Sequence, residues 1–262
     1  MSGGWTAILL AGQRPGTDPL ASAFGQTWKA LVPVGGEAML SRVARVLLAS
    51  PSIDRVVVLA QEPDALFTGD CAWLKDESRI ATAASGFGIA ASIARAAGTS
   101  IAPWPILVTT ADHPLLTTAM IETLIDRIGT ADVAVGVVSR RTLLAAYPGN
   151  RRTWLRFADG GWTGANLFAL RTERARRALS TWSEVERDRK KAFKLIWHFG
   201  PILALRALTR TVSLGVAMRN AGWRLGFYAR PVPLPFAEAG IDVDKPADHA
   251  LAERILRART AR

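Results

Sequence analysis

Three aspartates and one lysine carry the chemistry this sequence could perform. Asp112 stands directly after an apolar run, in Thr110-Ala-Asp-His-Pro-Leu-Leu116; Asp242 and Asp244 stand far along the chain, in Ile241-Asp-Val-Asp-Lys-Pro246. Carboxylates brought together beside a phosphate would hold Mg²⁺, which takes one or two carboxylates and completes its shell with phosphate oxygens and water. Lys29 follows a glycine-bearing segment, Gly12-Gln-Arg-Pro-Gly16, which leaves a second apolar run, Thr6–Ala11. Such a loop can turn backbone N–H groups towards a phosphate, because glycine permits an approach that a side chain blocks. A lysine adds a mobile point charge to the same anion. Each residue also has a plain structural reading: Asp112 as a turn residue or cap, Asp242 and Asp244 as a helix N-cap pair, Lys29 as a surface charge. His113 has no nucleophile or orienting acid beside it and reads as a loop residue. The single cysteine, Cys71, excludes an intramolecular disulfide and a cysteine-rich metal site. Nothing near it in sequence would lower its pKa, so it reads as structural.

These residues need a scaffold that gathers them on one edge, and the alternation of patterns supplies it. Thr6–Ala11, Asp54–Ala60, Pro105–Thr110 and Asp132–Val138 have the short apolar character of strands buried on both faces. Between them, Ala38–Leu48, Ile89–Ala97 and Thr117–Ile128 have helical spacing, with Thr117 as a cap. The order βαβα predicts an α/β protein: a Rossmann-like, mainly parallel sheet covered by helices on both faces. Ligands bind such sheets at the carboxyl ends of the strands, and Gly12–Lys29, Ser85–Gly88 and Ala111–Pro114 all fall there. Beyond Val138 the pattern loosens. Residues 140–156 are basic and turn-rich, Gly160–Asn166 opens onto a short strand at Leu167–Leu170, and a helix is expected over Arg171–Leu179. A helical excursion over Glu184–Trp223 follows, then a strand over Trp223–Ala229. Pro231, Pro233 and Pro235 form a stiff connection, and a last helix has Pro246 in its first turn. The expectation is a single domain over 1–262 with a helical insertion at 180–222.

Composition narrows the classes of partner. Of 262 residues, 49% are hydrophobic and 21% charged, a globular balance. No apolar run reaches the roughly 20 residues that cross a bilayer, and no signal-peptide pattern opens the chain, so a cytoplasmic protein is expected. Residues 1–130 carry 9 Lys+Arg against 11 Asp+Glu (−2), leaving +13 for residues 131–262 out of the net +11. The second half should therefore meet an anion. No zinc-finger, helix-turn-helix or RNA-binding aromatic signature accompanies the charge, which points away from nucleic acid and towards a phosphorylated metabolite or a membrane surface. Lys190, Lys191 and Lys194 precede Ile196-Trp197, and Arg206, Arg210 and Trp223 follow. A basic, amphipathic stretch of this kind suits peripheral contact with an anionic membrane. It equally suits a helical subdomain packed on the core or on a second subunit of a homodimer.

Taken together, Leu10-Ala-Gly12 with Lys29, Gly86-Phe-Gly-Ile-Ala-Ala-Ser92, Ala111-Asp-His-Pro114, Gly164-Ala-Asn166 and Ile241-Asp-Val-Asp244 give the chain a resemblance. It resembles the NTP-transferase family that includes the molybdenum-cofactor guanylyl- and cytidylyltransferases, with methylerythritol-phosphate and sugar-phosphate nucleotidyltransferases as more distant relatives. The resemblance implies a GT-A-like nucleotidyltransferase fold. It implies that Leu10, Ala11, Gly12, Gln13 and Arg14 wrap the triphosphate, that Lys29 neutralises it, and that Ser85, Gly86 and Ser92 approach the nucleotide. It further implies that Asp112 and Asp244 hold Mg²⁺ and that Gly164 and Asn166 lie on the acceptor side. The family's opening usually runs Leu-Ala-Ala-Gly-x-Gly-x-Arg. Here Arg14 stands at the second glycine's place and Gly16 at the arginine's, so the loop is expected to take its own path.

The function implied is nucleotidyl transfer: a phosphate on the acceptor attacks the α-phosphorus of an NTP and pyrophosphate leaves. CTP is slightly favoured over GTP, on family breadth. The acceptor would be a phosphorylated small molecule or a lipid-headgroup precursor. Two other readings stand beside it, a GT-A-type glycosyltransferase using a nucleotide sugar, from the Asp242-Val-Asp244 spacing, and a non-catalytic nucleotide-binding protein.

Overall fold

The computed structural model describes residues 4–14, 16–86, 88–187 and 209–260. In chain order its elements are β1 (Trp5–Leu10), α1 (Pro19–Ala23), β2 (Pro33–Val34), β3 (Glu37–Ala38), α2 (Met39–Ala49), β4 (Ile53–Ala60), α3 (Pro63–Leu66), β5 (Ile80–Ala84), α4 (Ile89–Ala96), β6 (Ile106–Thr110), α5 (Thr118–Arg127), β7 (Val133–Ser139), α6 (Arg140–Ala146), β8 (Leu155–Phe157), β9 (Gly160–Leu170), α7 (Arg176–Arg187), α8 (Leu214–Leu225), β10 (Ala229–Pro233) and α9 (Pro246–Thr260). The apolar runs that predicted strands are strands because both their faces are covered. On one face Leu9, Val58 and Leu107 pack with Leu40, Val43 and Leu124 from the helices; on the other Ile8, Val57 and Val108 pack with Ile93, Ala96 and Leu179. Alternate residues of a strand point to opposite faces, so a continuous apolar run feeds both cores.

The main sheet runs in the order β10-β7-β9-β6-β1-β4-β5, with β8 paired to β9. β1 lies parallel to both β4 and β6. The chain therefore winds outward from β1 through β4 to β5, then returns across β1 to place β6 on its other side. The carboxyl ends of β1 and β6 diverge into loops of opposite course, which opens a crevice at that switch point. This crevice carries the candidate chemistry.

Several elements differ from the sequence expectation, among them β5, an edge strand whose partly exposed residues form no buried apolar run. The glycine-rich stretch before Leu167 is not a loop: β9 begins at Gly160 and runs antiparallel to β7, β6 and β8. Glycines mask a strand because they contribute no side chain to its alternation, yet the ladder needs only their backbone. The turn-rich segment begins instead as α6, where the Ser139 hydroxyl accepts from Thr142 N–H. Trp223 is not in a strand; it lies in α8, which ends at Gly226 in a left-handed conformation (φ 78°). Pro231 and Pro233 belong to β10, a strand paired on one side only, with β7, where a residue lacking N–H can be accommodated.

Of the expected excursion, 188–208 lies outside the described residues, including Lys190, Lys191, Lys194, Trp197 and Arg206. Trp223 is 79% exposed. No helix among the described residues is long and apolar enough to cross a membrane.

Cys71 is fully buried, and burial pushes its thiol up to about 11. The nucleophile is the thiolate. Iodoacetamide at pH 7.5 should therefore leave the folded protein unlabelled and label the chain once in denaturant, as read by intact mass. Rapid native labelling would contradict the structural role.

Candidate active site

At the mouth of the crevice, Lys29, Asp112 and Asp244 meet, although they are far apart in sequence. Lys29 Nζ lies 2.7 Å from Asp112 Oδ2 and 2.5 Å from Asp244 Oδ1. Asp112 is placed by the end of β6, where the chain turns away from the sheet. Val243 N–H donates to the Asp112 carbonyl (2.8 Å), which holds the segment before α9 against that turn. Lys29 opens a short 3₁₀ turn, Lys29–Leu31, and its own N–H donates to Gln13 Oε1 (3.0 Å). Burial alone would lower the Lys29 pKa; the Asp112 and Asp244 carboxylates outweigh it and hold the ammonium above its ordinary value. Two carboxylates thus converge on one positive charge.

The same pair fits a divalent cation. Asp112 Oδ1 is buried with no hydrogen-bond partner among the described residues, an arrangement that costs free energy unless a cation or donor satisfies it. Asp244 remains 60% exposed and open to the crevice. Two carboxylates are also the usual protein share of a Mg²⁺ shell. Among the described residues no group of three or more His, Cys, Asp or Glu is placed to hold a metal, and a cation held by Asp112 and Asp244 would take its other ligands from substrate and water. His113 is wholly buried, and burial pushes its imidazole down to about 4, so it stays neutral and away from solvent chemistry.

The loop after β1 is pinned by glutamines. Leu10 O accepts from Ala111 N–H and Ala11 N–H donates to Leu59 O (2.9 Å each), so these backbone atoms extend the sheet. Gln13 exchanges two bonds with Gln61: its N–H donates to Gln61 Oε1 (3.2 Å), and its carbonyl accepts from Gln61 Nε2 (2.7 Å). Gln13 Nε2 also donates to the Thr27 carbonyl (3.1 Å), joining the loop to the Lys29 segment. A Cβ on Gly12 would come within 2.8 Å of Gln61 Oε1, so a side chain there would displace the Gln61 amide from Gln13. Gln61 escaped the sequence reading; its one signal was its place directly after a buried strand at the carboxyl edge. Arg14 is exposed and forms no ion pair among the described residues.

A second loop follows β5 on the same edge. Ser92 Oγ accepts from Gly86 N–H (2.9 Å) and donates to Gly88 O (2.8 Å), so Ser92 shapes this loop from within α4. The Ser85 and Thr110 hydroxyls are buried without partners. Glu186, from α7, accepts from Ala90 N–H (3.0 Å) and Ile89 N–H (3.3 Å), and so caps α4.

Asp242 is brought close but is otherwise engaged. Arg152 donates from Nη1 to its carboxylate and from Nη2 to its carbonyl (2.9 Å), and Asn166 Nδ2 donates to Oδ2 (3.1 Å). Burial raises the Asp242 pKa, while Arg152 pulls it back towards the ionised form. Arg152 Nη2 also lies 3.9 Å from Asp248, whose other oxygen accepts from Asp244 N–H (3.4 Å). One guanidinium therefore clamps the loop that presents Asp244. Asn166 meets Asp242 from a left-handed backbone (φ 47°), a region Asn tolerates. Gly164 leaves open space beside β9. Arg152 was not legible in the sequence, because one arginine among many in a basic stretch carries no distinguishing spacing.

Breaking this clamp should be measurable. Arg152→Leu leaves a largely buried carboxylate unpaired and is expected to cost about 2 kcal/mol, less than a fully buried pair because Asp242 keeps partial exposure. The shift of the urea midpoint reads the loss. Adding Asp242→Leu should recover part of it; no loss in Arg152→Leu would remove the clamp.

A glycine loop, a lysine and convergent carboxylates at the switch point of a parallel sheet define an α/β protein built to handle nucleotide phosphates. The chain belongs to the family of the MobA-like NTP transferase domain, whose sequence model matches residues 7–194. In fold it is similar to a hypothetical transferase from Thermus thermophilus, at a TM-score of 0.77 and 28% identity, over 94% of this chain and 99% of that one. It is also similar to 4-diphosphocytidyl-2C-methyl-D-erythritol synthase from Anaerococcus prevotii (TM-score 0.57, 11% identity, 97% of each chain). A third likeness is to CMP:2-keto-3-deoxy-manno-octonic acid synthetase, solved with CTP (TM-score 0.56, 16% identity, 98% of this chain and 99% of that). The last two share the fold alone. No curated protein matches the chain.

Proposed function

We propose that this protein is a Mg²⁺-dependent nucleotidyltransferase that moves CMP from CTP to a phosphate on its acceptor and releases pyrophosphate. The observation that carries the reading is the convergence of Lys29, Asp112 and Asp244 at one point of the crevice. Asp112 and Asp244 would hold the cation, which when bound neutralises phosphate charge and orients the displacement. The loop of Gly12 and Gln13, braced by Gln61, would carry the triphosphate, with Lys29 supplying positive charge beside it. Arg14 would reach the same anion from solvent, and Ser85, Gly86 and Ser92 would border the nucleoside. Asn166 would serve the acceptor side indirectly, by fixing Asp242 and with it the loop that presents Asp244, and Gly164 would leave space beside it. The acceptor phosphate is already an anion, so transfer rests on positioning and charge neutralisation, with no general base required. A buried, neutral His113 agrees with that.

The choice of CTP leans on two of the structural relatives: one was solved in complex with CTP, and another is a 2-C-methyl-D-erythritol 4-phosphate cytidylyltransferase. Against a nucleotide-sugar glycosyltransferase stands Asp242, whose carboxylate is taken by Arg152 and Asn166 and so is not free to pair with Asp244 on a metal. Incubation with CTP or GTP, Mg²⁺ and a panel of phosphorylated small molecules and lipid-headgroup phosphates, with pyrophosphate as the readout, tests the reaction. Binding without pyrophosphate release, or sugar transfer, would overturn it.

Peripheral contact with an anionic membrane extends the proposal to a lipid-headgroup acceptor, on the strength of exposed Trp223 and the basic residues in the sequence before it. Cosedimentation with phosphatidylserine vesicles should then fall as salt rises. No salt-sensitive binding would leave a soluble acceptor.

A further inference from the structure

A groove of about 720 Å³ lies between α9 and the loop joining α6 to β8. That volume is ordinary for a small-molecule site. The groove begins beside the candidate metal carboxylates, because Lys245, which follows Asp244, lines it together with Asp248. One wall is apolar, with Leu251 and Ile255 from α9 facing Ala146 and Pro148. Its charges are unbalanced. The two acids that line it are already engaged: Glu238 accepts from the Tyr147 hydroxyl (2.6 Å), and Asp248 lies beside Arg152. Arg151, Lys245 and Arg254 have no acidic partner among the described residues, and the Arg259 guanidinium reaches only the Leu115 carbonyl (3.3 Å). Asn150 Oδ1, also in the lining, is buried without a hydrogen-bond donor. A groove whose cations outnumber its free anions and whose buried amide oxygen has no donor among the described residues suits an anionic, hydroxyl-bearing ligand.

We propose that this groove is the acceptor site, and that the acceptor is an elongated phosphate with an apolar body, at least one hydroxyl group and a second anionic group. The inference rests on the nucleotidyl-transfer reading and deepens it by naming the acceptor class. The reacting phosphate lies at the Lys245 end, next to Asp244. The apolar body lies along Leu251 and Ile255, and Asn150 takes the hydroxyl. Arg254 is nine positions along from Lys245, about 13 Å at the rise of a helix, and receives the distal anion with Arg259. An inorganic phosphate or a short polyol phosphate fills only one end.

The test uses the whole protein with Mg²⁺ and saturating α,β-methylene CTP, which cannot transfer its nucleotide, and 1-naphthyl phosphate as the probe, followed by calorimetry. The expected result is that naphthyl phosphate binds alongside the nucleotide analogue, and at least about tenfold more tightly than inorganic phosphate or 1-naphthol, since each of those lacks half of the recognition. Arg254→Glu and Arg259→Glu, both at exposed positions, should each weaken a second probe, 6-carboxy-2-naphthyl phosphate, whose carboxylate reaches the distal arginines, about tenfold, and leave 1-naphthyl phosphate and analogue binding unchanged. Failure of naphthyl phosphate to bind, its displacement by the analogue, or wild-type affinity of both variants for the carboxylated probe would overturn the acceptor site. Failure of the analogue itself to bind wild-type protein would instead overturn the nucleotidyl-transfer reading, while the two variants still report on the groove.

Discussion

Asp112→Asn and Asp244→Asn are each expected to fold like the parent and to lose about a hundredfold or more in turnover. An amide keeps the shape of the carboxylate and removes its charge, so the loss would report charge held on the cation, typically worth several kcal/mol of transition-state stabilisation. The two losses should be unequal. Asp112 has a side-chain exposure of 22% and Asp244 one of 60%. Charges interact more strongly where less water screens them, so Asp112→Asn should be the more damaging. Pyrophosphate release measured against Mg²⁺ concentration separates the roles, because a lost ligand raises the concentration needed. Near-normal activity at limiting Mg²⁺ in either variant would reduce that aspartate to a residue that shapes its loop. Thermal unfolding of both variants controls for misfolding.

Lys29→Ala should weaken CTP binding and turnover by tenfold or more, since a charge-assisted hydrogen bond is worth about 1.5–3 kcal/mol. Lys75→Ala, at an exposed lysine far along the chain, should change neither. Lys29 also has a signature that a surface charge lacks. Its ammonium now lies between two carboxylates that would otherwise face each other. Without it the metal-free protein should lose thermal stability, and Mg²⁺ should restore part of the loss by taking the same position between the charges. The pair's own pH dependence follows from the raised Lys29 pKa. A cation held above its ordinary 10.5 contributes fully below that value and is lost as pH rises through the higher folded value, so stability from this contact should not change between pH 6 and 9. Equal effects of the two substitutions, with no response to Mg²⁺, would count against a role for Lys29 at the triphosphate.

The groove on α9 begins at Lys245, next to Asp244, so the proposed nucleotide and acceptor sites would lie on either side of one loop. That loop is held by Arg152 as well as by the backbone bond from Val243 to Asp112. Substitutions at Arg152 should therefore disturb metal affinity and acceptor binding together, whereas those at Gln61 should act through the nucleotide loop alone.

The sequence by itself determined four central strands, β1, β4, β6 and β7, and the edge on which chemistry could occur. Runs such as Ile8-Leu9 and Val56-Val57-Val58 can be buried on both faces only in a covered sheet, and the alternation with helices leaves the connecting loops at its ends. It also presented Lys29, Asp112 and Asp244 as separate candidates, each with a local structural explanation of equal standing. What the tertiary structure decided was which of them meet. The Lys29–Asp244 contact closes a separation of 215 residues, and no local pattern encodes a pairing at that range. The same is true of the diversion of Asp242 to Arg152, two neighbours of like spacing in Asp242-Val-Asp244 sent to different partners by the side chains packed around them. Strand β9 was hidden for a related reason. Its glycines carry no apolar alternation, and it exists as a strand because β6 and β7 leave backbone N–H and C=O groups that only a third backbone between them can satisfy.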